Sequence, residues 1–180
     1  MKNIEQFQRI VVIGTSCAGK TTFAKNIACA LGHRHVEMDE LFWREDWTPK
    51  PAEVFYELAQ QTATLDTWVV DGNYRAVRDV FWSRATAVVW LNYSFPTVLW
   101  RAVRRTFGRI LRRQSLWHGN TESLARTFSR DSILLWVATT HHRKQKEFEK
   151  LRQNNPYPHL IWLELNKPAA AHALLKNIQN

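Results

Sequence analysis

The chain has 180 residues, long enough for one domain with a buried core, and its 45% hydrophobic content is ordinary for a globular protein. A formal net charge of +9 favours an anionic partner, either phosphate-rich small molecules or nucleic acid. The only cysteines, Cys17 and Cys29, make no disulfide framework and point to a reducing cytoplasm. The polar start and the lack of any long apolar run leave no signal peptide or membrane span to expect.

Ile10-Val11-Val12-Ile13 reads as a buried strand, and 21–31 as a helix with Phe23, Ile27 and Leu31 on one face. Between them, Gly14-Thr15-Ser16-Cys17-Ala18-Gly19-Lys20-Thr21 completes a G-x-x-x-x-G-K-[ST] phosphate-binding loop. In that layout successive backbone N–H groups and a helix N-terminus form an anion cradle. The candidate nucleotide-binding residues are therefore Gly14, Thr15, Ser16, Cys17, Ala18, Gly19, Lys20, Thr21 and Thr22. Lys20 is expected to reach the β- and γ-phosphates of a nucleotide, and the Thr21 hydroxyl to ligate Mg²⁺. Cys17 reads as a small filler where the backbone does the work.

Residues 35–38 read as a short strand ending at Asp39, expected to lie beside the first strand. Ligands of open α/β sheets bind beyond the carboxyl ends of the strands, so Asp39 is a candidate to orient an acceptor hydroxyl or take its proton; the equal alternative is a helix-starting Asp. Phe42, Trp43 and Trp47 follow, either as walls of a pocket for a ring or sugar or as plain core. Residues 51–64 have helical spacing, and Trp68-Val69-Val70 forms a third strand that delivers Asp71, then Gly72-Asn73-Tyr74-Arg75. A carboxylate there can hold Mg²⁺ through its water shell opposite Thr21; the alternative is an ordinary strand-ending Asp-Gly turn.

Residues 75–83 read as helical, 86–91 as a fourth strand and 95–110 as a helix. Six arginines fall between Arg101 and Arg113. Arg101 and Arg105 are one turn apart and share a face, so they are the candidates to neutralise a moving phosphoryl group, with Arg109, Arg126 and Arg130 after them. The basic, then polar stretch 108–126 suits a mobile lid or, equally, a surface helical hairpin. A long helix over 128–153, a last strand over 160–163 and a closing helix over 168–178 complete the chain. Strands alternating with helices predict a parallel sheet covered on both faces. Most of the nine tryptophans are expected in the core or on cleft walls, and the seven histidines show no zinc-ligand pattern.

The chain resembles the adenylate-kinase-like P-loop kinases, particularly the small bacterial topology modulation proteins. The phosphate loop carries the resemblance, with Met38-Asp39-Glu40-Leu41-Phe42-Trp43, Trp47 before Pro49, and Asp71-Gly72-Asn73-Tyr74. Val89-Trp90-Leu91, Arg101 with Arg105, and Gly119-Asn120-Thr121-Glu122 extend it over residues 9–168. It implies one domain over 1–180: a three-layer α/β/α P-loop NTPase of nucleoside-monophosphate-kinase type, with a five-stranded parallel sheet and a helical lid. It also implies ATP and Mg²⁺ as cofactors. In adenylate kinases an Asp-Gly-Phe-Pro-Arg segment supplies a magnesium-side acid and a substrate arginine; at that spacing Asp71 and Arg75 take those places. Asn73-Tyr74 replaces Phe-Pro, a departure that argues against AMP as acceptor. The implied acceptor side is Asp39, Trp43, Asp71, Gly72, Asn73 and Arg75, and the implied metal side Thr21 and Asp71. Arg101 and Arg105 match the lid-base arginines, and Asn166-Lys167-Pro168 would lie near the adenine. Asn92 stands where relatives often carry Asp. The expected activity is ATP-dependent phosphotransfer to a small-molecule acceptor, with Lys20, Asp39, Arg101 and Arg105 as catalytic residues. The alternative is an ATP-binding regulator that associates with DNA and turns over little. A GTPase reading of Asn166-Lys167 fails, because Ala169 stands where its Asp belongs.

Overall fold

Five strands form one sheet in a computed structural model that describes residues 7–112 and 133–179. They are β1 (Arg9–Gly14), β2 (Arg34–Glu37), β3 (Trp68–Asp71), β4 (Ala87–Leu91) and β5 (Ile161–Leu165). All pairs are parallel, in the order β2-β3-β1-β4-β5. The central strands are near-continuous apolar runs because helices cover both faces, and every residue of β4 is buried.

Strand alternation sorts the core into two layers. Ile10, Val12, Val69 and Val89 pack against α1 (Lys20–Leu31), through Phe23, Ala24, Ile27 and Ala28, and against Ala171 of the closing helix α7 (Pro168–Gln179). Val98 and Ala102 of α5 (Phe95–Arg112) and Val137 of α6 (Ile133–Asn154) belong to the same layer. On the opposite face Val11, Val70 and Val88 meet Phe55, Ala59 and Ala63 of α3 (Ala52–Ala63), Phe81 and Trp82 of α4 (Arg78–Trp82), and Phe148 of α6. Trp68 and Trp82 are fully buried there.

The structure corrects two expectations. First, β2 pairs with β3 and not with β1. The crossover through α1 carries the chain two strand positions over, and β3 later fills the gap. Second, Asp39 does not end a strand: β2 stops at Glu37, and Met38–Phe42 winds into a five-residue helix, α2. Met38 is fully buried, and Asp39 and Glu40 in the first turn complement the helix dipole. Trp100 and Trp136 are 67% and 50% exposed, outside the expected majority in core or cleft. The expected helix over 75–83 divides into a 3-10 turn at Arg75–Val77 followed by α4. Residues 113–126 of the expected lid, Arg126, Arg130 and the Arg109 side chain lie outside the described residues, as does the segment 128–132.

β1 leads to β2 on one side of the sheet while β4 leads to β5 on the other, so the carboxyl ends of β1, β3 and β4 frame a crevice.

Candidate nucleotide and acceptor site

The phosphate loop leaves β1 at Gly14, which pairs with Leu91 of β4. Gly14 has φ 154°, and a Cβ there would stand 2.9 Å from the Leu91 carbonyl oxygen, so the two strands can close only around a glycine. The loop turns through Cys17 at φ 62° and enters α1 from Gly19 at φ 91°. A left-handed non-glycine residue costs on the order of 1–3 kcal/mol, and such costs collect at ligand clamps. Cys17 is therefore a bent element of the loop and more than a filler. Lys20 Nζ spans the loop to the Thr15 carbonyl at 3.2 Å, while Thr15 Oγ1 is buried without a hydrogen-bond partner.

Two arginines of α5 brace the loop. Arg101 Nη1 donates to the Ala18 carbonyl at 2.6 Å, and its guanidinium lies 4.9 Å from the Tyr93 ring centroid. Burial pushes the Tyr93 phenol above its ordinary pKa, against the opposing pull of Arg101. Arg105 Nη1 reaches the Cys17 sulfur at 3.8 Å. The expected pair therefore does converge on the loop, where Arg101 holds its backbone.

β3 carries Asp71 to the flank of β1: Val12 and Asp71 are in register, and the Gly72 N–H donates to the Val12 carbonyl at 3.1 Å. Asp71 is only 4% exposed, and His35 Nε2 meets its Oδ2 at 3.1 Å. Gly72 has φ 120°, and a Cβ would strike Met38 Cβ at 2.9 Å, so this glycine lets α2 seat against the end of β3. Among the described residues no group of three or more His, Cys, Asp and Glu could hold a metal ion. That is compatible with magnesium, which keeps most of its waters and takes one or two protein oxygens beside substrate phosphates. Thr21 and Asp71 offer that all-oxygen donor set, with α1 packed on β3 between them.

Asp39 of α2 accepts a 2.6 Å hydrogen bond at Oδ1 from the Tyr74 hydroxyl. Burial first, then the charge and hydrogen bond of Asp39, hold the Tyr74 phenol far above its ordinary pKa, so it stays a donor at any physiological pH. Tyr74 also packs on Phe42 at 4.7 Å and on Phe55 at 5.4 Å between centroids. Trp43 stands edge-on to Phe42 at 4.8 Å and to Trp47 at 5.9 Å. These rings form one aromatic cluster, with Phe55 buried in it and Trp43 and Trp47 partly open. Lys50 closes the α2 end by donating to the carbonyls of Glu40, Leu41 and Trp43 at 2.8, 3.0 and 3.2 Å. Its ammonium pKa is lowered mainly by burial.

Asn73 Oδ1 accepts from Arg78 Nε at 3.0 Å, which leaves Nδ2 buried without a partner. A buried donor in that state costs about 1–3 kcal/mol unless something meets it. Arg75 does not reach into the site: its side chain is 75% exposed and its Nε donates to Glu147 of α6 at 3.2 Å. Arg78 and Lys144 converge on the same carboxylate at 3.0 and 3.1 Å. Burial alone would raise the pKa of Glu147, but the hydrogen bonds from Arg75, Lys144 and Arg78 together bring it down to about 2. Asn92 at the end of β4 donates to Glu164 and accepts from Gln145, both at 2.7 Å.

Sequence reasoning missed His35, Tyr74, Arg78 and Glu147 as partners of the site. Tyr74 had a local signal, since it follows the Asp71-Gly72-Asn73 turn, and Arg78 meets Asn73 five residues away. His35 and Glu147 act across 36 to 72 residues of chain, where periodicity carries no information.

No family model matches the sequence, and no curated protein matches it. Solved structures match over nearly its whole length. A shikimate kinase from Acinetobacter baumannii in complex with shikimate is 16% identical with a TM-score of 0.55, covering 98% of this chain and 93% of that one. A putative kinase from Chloroflexus aurantiacus is 14% identical with a TM-score of 0.51, covering 97% of each chain. A gluconokinase from Sinorhizobium meliloti is 19% identical with a TM-score of 0.50, covering 95% of each. The chain thus has the α/β fold of small P-loop kinases, the fold expected from the sequence.

Proposed function

We propose that the protein is an ATP-dependent phosphotransferase that moves the γ-phosphoryl group to a hydroxyl of a small-molecule acceptor. One observation carries the reading. The strand–loop–helix phosphate cradle and a buried carboxylate, Asp71, meet at the carboxyl end of adjacent strands, next to Asp39 on its aromatic platform. The shikimate kinase and gluconokinase among the structural neighbours support it.

In this reading the loop N–H groups and Lys20 hold the β- and γ-phosphates, and Thr21 and Asp71 hold Mg²⁺ and its water shell. Bound there, the metal would draw charge from the phosphate oxygens. Arg101 keeps the loop in its cradle form through the Ala18 carbonyl, and Arg105 adds positive charge beside it. Asp39, fixed at Oδ1 by Tyr74, presents its other oxygen to the acceptor hydroxyl and receives the proton as the phosphorus–oxygen bond forms. The unpartnered Nδ2 of Asn73 donates to an acceptor oxygen, and Trp43 and Trp47 pack on the acceptor's apolar face. Shikimate kinase and gluconokinase among the structural neighbours make a hydroxylated acid of that kind the acceptor class to try first.

The test is ADP release with Mg-ATP across a panel of sugars, cyclitol acids, nucleosides and nucleotides. An acceptor should stimulate release at least tenfold, and Lys20→Ala should abolish the stimulated rate while the protein keeps its wild-type melting profile. Full stimulated turnover in that variant would sink the assignment.

A further inference from the structure

His35 has no part in the site as proposed, yet its Nε2 lies 3.1 Å from Asp71 Oδ2, within hydrogen-bond distance. The strand geometry explains how it gets there. In the β2–β3 pairing His35 lies opposite Val69 and Glu37 opposite Asp71, so His35 stands one diagonal step from Asp71. Val69 faces the layer under α1, and Asp71, two residues on, projects to that side. The first turn of α1 carries Lys20 and Thr21. The imidazole is itself mostly covered, at 15% side-chain exposure beside 6% for Asp71. A carboxylate oxygen can only accept, so the 3.1 Å contact requires the proton on Nε2.

We propose that His35 is a positioning residue for the magnesium side of the site. Its Nε2–H pins Asp71 Oδ2, fixes the rotation of the carboxylate, and leaves Oδ1 to face the water shell of the metal. The chemistry is that of outer-shell partners elsewhere: a ligand that would otherwise rotate is held by a second hydrogen bond, and losing that bond weakens the metal 10–100-fold. The edge strand β2 thereby serves the nucleotide half of the site through His35, while α2 directly after it serves the acceptor half through Asp39. This inference rests on the reading of Asp71 as the magnesium-side acid.

The experiment measures Mn²⁺ affinity of the protein–ADP complex from the free-ion EPR signal, and ADP affinity in EDTA by calorimetry. The proteins are wild type, His35→Phe, His35→Gln and Asp71→Asn. His35→Phe should weaken Mn²⁺ about tenfold while metal-free ADP binding stays within twofold. His35→Gln, whose amide nitrogen reaches the same oxygen, should recover most of the loss. Mn²⁺ affinity within twofold of wild type in His35→Phe, while Asp71→Asn loses it, overturns the role of His35 and spares that of Asp71. Wild-type Mn²⁺ affinity in Asp71→Asn overturns the reading of Asp71 itself, and the role of His35 with it. A parallel loss of metal-free ADP binding in His35→Phe would show a general structural role and also overturn the proposal. Should His35→Phe not fold, His35→Gln and the shorter His35→Asn carry the test: they should differ severalfold in Mn²⁺ affinity, and equal values overturn it.

Discussion

Gly72 and Tyr74 lie two residues apart and both set the position of α2. Gly72 has no Cβ to strike Met38, which frees α2 to sit against β3; Tyr74 then ties α2 back through Asp39. Gly72→Ala combines a 2.9 Å clash with an unfavourable φ of 120° and should cost roughly 1–3 kcal/mol. For a chain of this size that lowers the melting temperature by several degrees in a thermal scan. Tyr74→Phe removes a hydrogen bond to a charged acceptor while keeping the ring contacts, so about 1–2 kcal/mol is expected in urea unfolding. The loss should vanish when Asp39 is already Asn, since a double-mutant cycle isolates the pair. A full Tyr74→Phe cost in the Asp39→Asn background would mean that the phenol stabilises something else.

The helix α6 ties the site to the rest of the molecule through groups that titrate in separate windows. Glu147 clasps Arg75, Arg78 and Lys144, and its folded pKa of about 2 lies below the ordinary 4.5 of a glutamate. A depressed carboxylate stabilises above its unfolded pKa, and that stability is lost as pH falls from 4.5 towards 2. The contribution is on the order of 2 kcal/mol, reduced by solvent at the exposed Arg75. Glu147→Gln should flatten the acid limb of a melting-temperature profile in that window. His141 is 1% exposed with neither ring nitrogen hydrogen-bonded, and burial, helped by His142, lowers its pKa. Its neutral form stabilises above about pH 6.5, and that stability is lost as pH falls further. His141→Leu should therefore flatten the profile as pH falls below about 6.5. An unchanged slope in that range would place the titrating group elsewhere.

At the scale of the whole molecule, net charge does not choose between a kinase and a DNA-associating regulator, but its placement argues for the former. Arg101 and Arg105 turn towards the phosphate loop, and Arg75 and Arg78 are held by Glu147. We expect no duplex DNA retention in a filter assay at about 150 mM salt, the range where steeply salt-dependent contacts weaken. Tight binding there would revive the regulator.

What could be read in advance follows locality. The phosphate loop, β1 and α1 were legible because an apolar run, two glycines and Lys20-Thr21 are contiguous. The end of β2 was misjudged because Met38 buries its side chain against Gly72, a contact 34 residues away that a local pattern does not contain. The same holds for His35 with Asp71 and for the Glu147 clasp, whose partners meet only after the sheet has formed.

The strand order has a consequence for synthesis. β1 is the first strand made and lies at the centre of the sheet, with β3 and β4 as its only partners. Between Gly14 and Trp68 the ribosome adds 54 residues, roughly 3–10 s of elongation at ordinary rates. For that interval Ile10, Val11, Val12 and Ile13 have no sheet to join, and an unpaired apolar strand is a sticky one. The segment that defines the nucleotide site is thus also the one the nascent chain must shield longest. Slowing translation between β1 and β3 should lower the soluble yield more than the same pause placed after β4.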